Sequence, residues 1–175
     1  MKKFELTNEF ITNMFGTKLF RIRALVEFGD VEAGELGGYV EKESNLGHDD
    51  NAWVYDNAWV YGDAQVSGDA RVYDNARVYG DAWVYGNARV CGDALVCGDA
   101  RVCGNGDYAY AHGFGSVNRT TTFFRLKDGG VGVRCGCFYG TLAQFRDKIR
   151  ETHGETKKAQ EYLMLADLMK LRFEK

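Results

Sequence analysis

A six-residue period dominates the middle of the sequence. Alanine stands at every sixth position from Ala52 to Ala100, and valine follows each alanine two positions later, from Val54 to Val102. Tyr, Ser or Cys, then Gly or Asp, and then Asp or Asn complete the unit, which runs nine times over residues 52–105. Such a period is typical of a solenoid, in which each unit buries its apolar residues against its neighbours.

Each unit has the chemistry of a short strand followed by a corner. In Trp59-Val60-Tyr61 the side chains alternate, so the β-branched valine faces the opposite side from its neighbours. The Gly-Asp or Gly-Asn pair after it tolerates positive φ and lets the chain turn. The chain has no proline, which keeps backbone N–H groups available for a hydrogen-bond ladder. The pattern predicts a parallel β-helix with valines inside and Tyr, Trp and Cys facing solvent.

The unit resembles the hexapeptide repeat of left-handed β-helix proteins, a group that includes many acyltransferases. The resemblance implies three units per triangular turn, so residues eighteen positions apart should stack. It places Val54, Val72 and Val90 in one inner column, and Tyr55, Tyr73 and Cys91 in one outer column. Degenerate units before Asn51 are expected to add to the coil.

The segment before the repeat resembles the opening of YdcK-type hexapeptide proteins. Alternating basic and aliphatic residues at 20–24 are followed by V-E-A-G-E-L-G-G-Y-V at 31–40 and by Asn45-Leu46. The resemblance extends over residues 19–105, and proteins of that type are described as transferases chiefly by fold. We expect residues 1–45 to cap the first coil and residues 46–106 to form the β-helix.

Residues 107–175 predict a small α+β domain. Thr120–Leu126 and Val131–Phe138 are rich in β-branched and aromatic residues and flank a Gly-rich turn, which indicates a hairpin. Thr141 and Thr156 are candidate N-caps of two helices, giving a ββαα order. The domain resembles one found at the ends of uncharacterised phage and prophage proteins of Gram-positive bacteria. The predicted fold is therefore mainly β, a left-handed parallel β-helix with a ββαα domain.

No catalytic residue, metal site or cofactor is predicted. Resemblance to hexapeptide acyltransferases implies a histidine near a coil edge, but His48, His112 and His153 all lie outside residues 51–105. Cys91, Cys97 and Cys103 occupy one repeat position on three different faces, so they should not converge on one ion. Cys135 and Cys137 share one face of a predicted strand and would need a histidine to complete a zinc site.

Two sets of residues are candidate binding surfaces. Aromatic and arginine side chains on the outer faces are typical of protein interfaces, although cross-strand stacking explains them as well. This first set is Trp53, Trp59, Tyr61, Arg77, Tyr79, Trp83 and Tyr85. A polar run before the predicted hairpin offers hydroxyls, backbone amides and one guanidinium to a phosphate or nucleotide, although turn formation accounts for it equally. This second set is Ser116, Asn118, Arg119, Thr120 and Thr121.

Charge, hydrophobicity and cysteine content limit the classes of binding partner and the cellular location that we expect. The net charge is −3, and residues 106–175, with 12 basic and 8 acidic residues, carry +4. That excess is too small to predict nucleic-acid binding. No apolar run is long enough for a membrane span, and the first residues do not form an export signal. Five cysteines without an export signal indicate reduced thiols in the cytosol.

These observations favour a non-enzymatic binding protein of phage or prophage type that forms a homo-oligomer. We expect it to inhibit a host function, such as an anti-phage defence, by binding a host protein or a nucleotide. One alternative is an acyltransferase that uses acyl-coenzyme A, as the hexapeptide resemblance implies. A further alternative is a structural component that assembles into polymers.

Overall fold

A computed structural model describes residues 1–115 and 117–174. Strands β1 (Phe4–Thr12), β2 (Lys18–Ala24) and β3 (Leu36–Val40) come first, before a short 3₁₀ turn at Glu43–Asn45. Each repeat unit then contributes one two-residue strand. These strands are β4 (Trp53–Val54), β5 (Trp59–Val60), β6 (Gln65–Val66), β7 (Arg71–Val72), β8 (Arg77–Val78), β9 (Trp83–Val84), β10 (Arg89–Val90), β11 (Leu95–Val96) and β12 (Arg101–Val102).

The C-terminal domain has a sheet and two helices. The sheet is antiparallel, in the order β13-β14-β15-β16. Its elements are β13 (Tyr108–Phe114), β14 (Arg119–Arg125), β15 (Val131–Cys135), β16 (Phe138–Thr141), α1 (Leu142–His153) and α2 (Lys157–Phe173). Within the described residues, no helix is both long and apolar enough to cross a membrane.

The repeat winds into a three-sided solenoid in which one turn takes eighteen residues. Parallel pairing joins β4, β7 and β10 on the first face, β5, β8 and β11 on the second face, and β6, β9 and β12 on the third face. Val54 pairs with Val72 and Val72 with Val90, which confirms the predicted inner column. A partial turn precedes these three turns, because Tyr39 pairs with Trp59 and Leu46 bridges to Val66. Solenoid pairing therefore begins before the expected boundary at residue 46. The hand of the coil stays a prediction.

Burial confirms the inner assignment of the repeat. The nine valines and nine alanines of the units are all fully buried. Valine fills the interior from the middle of each side, whereas alanine lies beside the corner, where a larger side chain has little room.

The corners adopt the positive φ that the sequence predicts, and they approach one another closely. Asp74 has φ 59° and Gly80 has φ 70°. A Cβ added to Gly80 would lie 2.9 Å from the backbone nitrogen of Gly98 on the next coil. At the Asp74 corner a carboxylate joins the coils instead, because Asp74 Oδ2 accepts a 2.9 Å hydrogen bond from the Gly92 amide on the next coil.

We expect Gly80→Ala to lower the free energy of unfolding by more than Gly34→Ala does. Both positions have positive φ, which costs a residue with a Cβ about 1–2 kcal/mol, but space around Gly34 is open to 4 Å. The difference between the variants in urea unfolding therefore measures the steric contact between coils. Equal losses would show that the coils can separate at this corner without cost.

The N-terminal segment closes the first coil. The Lys3 side chain is only 3% exposed, and its Nζ donates to the carbonyl oxygens of Asp50 and Ala52, each at 2.8 Å. Burial lowers the pKa of Lys3, and the nearby Asp50 carboxylate partly offsets this effect. Phe4 is fully buried and stacks on His48 at 4.4 Å between ring centres. The carbonyl groups of Asp50 and Ala52, which lie at the open end of the hydrogen-bond ladder, thus accept hydrogen bonds from Lys3.

The C-terminal sheet closes the last coil. Phe124 is fully buried and packs in the same core as the solenoid valines. The amide of Leu95, on the final strand of the second face, donates to Thr122 Oγ1 at 2.9 Å. The amide of Lys127 donates to the Asp99 carbonyl at 3.0 Å. These contacts cover strand edges that would otherwise be free to pair with another chain.

The predicted ββαα order is wrong in its strands, because the sheet has four. The alternating small residues of β13 weakened its strand signal, and Gly136 divides the second predicted strand into β15 and β16. The two helices are where the sequence places them. Thr141 Oγ1 accepts from the Gln144 amide at 3.3 Å, and Thr156 caps α2 in the same way.

Replacing Thr122 by valine should lower the free energy of unfolding by about 1–3 kcal/mol, because it leaves the Leu95 amide without an acceptor. Thr120→Val is the matched control, since among the described residues the Thr120 hydroxyl bonds only to the exposed His112 ring. Thermal or urea unfolding of both variants measures the contrast. Equal stability of the two would show that this hydrogen bond does not secure the coil edge.

Candidate functional site

Aromatic and cationic side chains alternate along the outer columns of the solenoid. Arg77 lies over the Trp59 ring at 4.1 Å, and Arg101 lies over Trp83 at 4.6 Å. The rings of Tyr61 and Tyr79 stack 5.0 Å apart and are nearly parallel. These are cation–π and aromatic contacts between successive coils, so much of the first residue set already has a structural role.

Two outer residues are not exposed as the sequence predicted. Trp53 is fully buried, because the N-terminal segment covers its face and packs Phe4 and Phe28 edge-on against its indole. Cys97 is only 3% exposed, because the C-terminal sheet lies over the end of the second face. Trp83, on the third face, is 45% exposed, and Tyr85 beside it is half-buried.

The polar run does not form one site. Ser116 lies outside the described residues, and Asn118 is exposed with φ 48°. Thr121 is fully buried, and its hydroxyl donates to Cys135 Sγ at 3.2 Å. Its neighbour Thr120 bonds to His112 Nδ1 at 2.8 Å. Adjacent strand residues point to opposite faces, so the run is divided between the two sides of the sheet.

The structure instead joins part of each predicted set at one cleft. A cavity of about 280 Å³ lies between the second solenoid face and the C-terminal sheet, and we call it the arginine cleft. Its lining combines Arg77, from the aromatic set, with Arg119 and Thr120 from the polar run. The remaining lining residues are Asn75, Asp93, Leu95 and Gly136.

A third guanidinium lies on the solenoid-facing side of the C-terminal sheet, outside the lining of the arginine cleft. Arg134 pairs with Thr122 across the sheet, and Thr122 faces the solenoid. Burial raises the pKa values of Tyr61 and Tyr79, and the positive charge of Arg134 opposes the rise at both phenols. Arg134 is therefore close enough to act electrostatically on both phenols. Its buried Nε has no hydrogen-bond acceptor among the described residues.

The local charge balance favours an anion. Within the part of the chain that the structure describes, neither Arg77, Arg119 nor Arg134 lies within 4 Å of a carboxylate oxygen. The Asp93 carboxylate lines the cleft, but it accepts a long 3.4 Å hydrogen bond from Asn75. Two guanidinium groups, those of Arg77 and Arg119, thus line the cleft with one carboxylate, that of Asp93.

A second cleft, of about 260 Å³, lies on the helix side of the sheet, and we call it the thiol cleft. Cys135 and Cys137 both line it, together with Lys148 and His153 of α1. Arg119 lines this cleft as well and packs on the Gly136 turn between the two cysteines. Tyr162 closes the inner end, and burial raises its pKa to about 12.

The three histidines lie in different parts of the structure, and each makes different contacts. His48 stacks on Phe4, and its Nδ1 accepts the Lys3 amide at 3.2 Å. His112 contacts Thr120, and His153 stacks on Tyr162 at 5.9 Å. Across residues 1–115 and 117–174, no three His, Cys, Asp or Glu side chains are grouped closely enough to hold a metal ion.

Sequence reasoning missed Arg134, Asn75 and Asp93. Arg134 alternates with Val133 and Cys135 on one strand, which indicates only that its side chain faces away from theirs. Asn75 and Asp93 were assigned to corners, where eighteen-residue spacing does place them together. No pattern in the sequence showed that the C-terminal sheet would lie over these corners.

Comparison with known families finds similarity in the solenoid. Residues 52–68, 64–75, 70–86, 82–98 and 88–104 match the YdcK beta solenoid repeat. The matched stretch is under a third of the chain. No curated protein matches the chain in sequence. The central part is thus a β-solenoid repeat, and the expected relationships of the N-terminal and C-terminal segments stay predictions.

Proposed function

We propose that this chain is a non-enzymatic binding protein whose arginine cleft holds the phosphate groups of an anionic ligand of the nucleotide class. One observation carries the proposal. Arg77 of the solenoid and Arg119 of the C-terminal sheet line one cleft, Arg134 lies on the same side of that sheet, and none of the three pairs with a carboxylate among the described residues.

Guanidinium groups suit phosphate oxygens because their planar N–H donors form two parallel, charge-assisted hydrogen bonds. The rings of Tyr61 and Tyr79 stack on each other and are half-buried, so their outer edges offer apolar surface to the rest of the ligand. At about 280 Å³ the cavity is just smaller than the roughly 300–1,000 Å³ of most small-molecule sites. This volume can hold the phosphate groups of the ligand inside the cleft, while the rest of the ligand would lie along the second solenoid face.

The cleft is built on rigid parts of the molecule. Arg77 is held by its contact with Trp59 on a coil whose backbone is bonded on both sides. The opposite wall is fixed to the last coil through Thr122 and Lys127. A preformed site loses less conformational entropy on binding, which favours affinity for a small ligand.

The proposed biological role is interference with a host function by binding. It is supported by the resemblance of the C-terminal domain to phage and prophage proteins. All five cysteines are free thiols, which agrees with the proposed location in the cytosol. The left-handed winding implied by the hexapeptide resemblance belongs to the same proposal.

Calorimetric titration with ATP and GTP tests the ligand proposal. We expect binding, with roughly a 10- to 100-fold loss of affinity in Arg77→Gln and Arg134→Gln, because each variant removes charge-assisted hydrogen bonds. Arg150→Gln is the matched control, since within residues 1–115 and 117–174 the Arg150 guanidinium forms only an exposed pair with Asp147 on the same helix. Absence of binding at millimolar nucleotide, or equal affinity of all variants, would contradict the proposal.

The rival proposal is an acyltransferase that uses acyl-coenzyme A. Coenzyme A also carries phosphates, so binding alone does not separate the two proposals. Release of free thiol from acetyl-coenzyme A separates them, because only transfer of the acyl group liberates it. Thiol release that depends on the protein and on an amine or hydroxyl acceptor would establish the enzyme.

Self-association is proposed through the third solenoid face, which carries the exposed Trp83. Both solenoid ends are covered by other segments, which favours a closed oligomer over an open polymer.

We expect light scattering to give one defined mass above that of the monomer, and we expect Trp83→Lys to lower this mass. Leu36→Lys, at a residue 49% exposed elsewhere, should leave it unchanged. A mass that grows without limit would favour the polymer-forming alternative, and a monomeric parent chain would refute self-association.

A further inference from the structure

The turn between β15 and β16 brings two cysteines to one cleft. Cys135 pairs with Phe138 at the base of the turn, which leaves Gly136 and Cys137 as its two central residues. Gly136 has φ 58° at the first central position, as type II′ hairpin turns require. Both cysteine side chains line the thiol cleft. The solenoid cysteines differ, because Cys91 and Cys97 follow strands on different faces.

The separation of the two residues suits a covalent bond. Consecutive Cα atoms are about 3.8 Å apart, so Cα atoms two residues apart in a turn fall within the roughly 4.4–6.8 Å that a disulfide spans. A ring with one intervening residue is strained, and strained disulfides are readily reduced. Such a bond would therefore be reversible.

The surroundings are those of an accessible thiol pair. Cys137 is exposed and Cys135 is half-buried, in contrast to the buried Cys97. Thr121, itself fully buried, donates its hydroxyl to Cys135 Sγ at 3.2 Å. Arg119 and Lys148 line the same cleft, and Lys148 also forms an exposed 3.0 Å ion pair with Glu151. The two positive groups favour the approach of an anionic reagent to the sulfur atoms.

We propose that Cys135 and Cys137 form a reversible dithiol–disulfide pair that exchanges with an anionic low-molecular-weight disulfide, of which glutathione disulfide is the probe. The exposed Cys137 thiolate attacks one sulfur of the probe, an S–S bond forms as the probe's own S–S bond breaks, and one glutathione thiolate leaves. The Cys135 thiolate then attacks the Cys137 sulfur and releases the second glutathione. The protein loses two electrons and two protons, and the two glutathione molecules take up the electrons and protons as thiols.

The test treats the full chain with glutathione disulfide, blocks the remaining thiols with an alkylating reagent, and digests with trypsin. Residues 135–146 form one tryptic peptide with both cysteines, and residues 90–101 form another with Cys91 and Cys97. We expect the first peptide to lose two hydrogens, about 2 Da, and to resist alkylation, and reduced glutathione to reverse the change. The second peptide is the internal control and should gain no internal disulfide.

Two variants locate the steps. Cys135→Ser should stop the reaction at a stable glutathione adduct on Cys137, because the resolving thiol is absent. Lys148→Glu should slow the first step several-fold, because the substitution reverses a charge in the cleft. The proposal is overturned if peptide 135–146 is still fully alkylated while the exposed Cys103 reacts with glutathione disulfide. It is also overturned if Cys91 and Cys97 form a disulfide as readily as Cys135 and Cys137 do. Far-UV circular dichroism confirms that the variants fold.

Discussion

The backbone hydrogen-bond ladder between successive coils is the interaction on which the rest of the molecule depends. The amide of Trp59 donates to the Ala76 carbonyl at 2.9 Å, and Tyr61 repeats the pattern with Val78 at 3.1 Å. Because each bond joins residues in adjacent turns, it stacks valine on valine inside and sets each outer side chain against its equivalent one turn away. The contact of Arg77 with Trp59 is a direct consequence.

A ladder of this kind leaves unpaired groups at both ends, and the two flanking segments satisfy them differently. At the first coil the buried Lys3 ammonium bonds two carbonyl oxygens. At the last coil a sheet lies across the edge and places Thr122 on a free amide. Capping and the candidate site are linked, because the sheet that covers the last coil also carries Arg119 and Arg134 to the solenoid face.

The C-terminal sheet therefore separates two kinds of chemistry. Its solenoid side presents arginines beside stacked tyrosines, which suits a phosphate-bearing ligand. Its helix side presents two thiols among cationic side chains. Arg119, at the start of β14, lines both clefts and rests on the Gly136 turn, so the two sites share one residue without sharing their reactive groups.

The sequence of residues within each six-residue unit determined the solenoid. Valines and alanines at every sixth position dictate the buried core and the corners, because both follow from side-chain alternation and turn chemistry within a few residues. The eighteen-residue stacking was implied by the resemblance to hexapeptide-repeat proteins, and the strand pairing confirms it. The tertiary structure alone decided which outer residues are covered. Trp53 and Cys97 carry the same local pattern as exposed residues, and only the docking of distant segments buries them. The arginine cleft has the same origin, since it joins Arg77 to a strand over forty positions later, and contacts between such distant residues leave no periodic trace in the sequence.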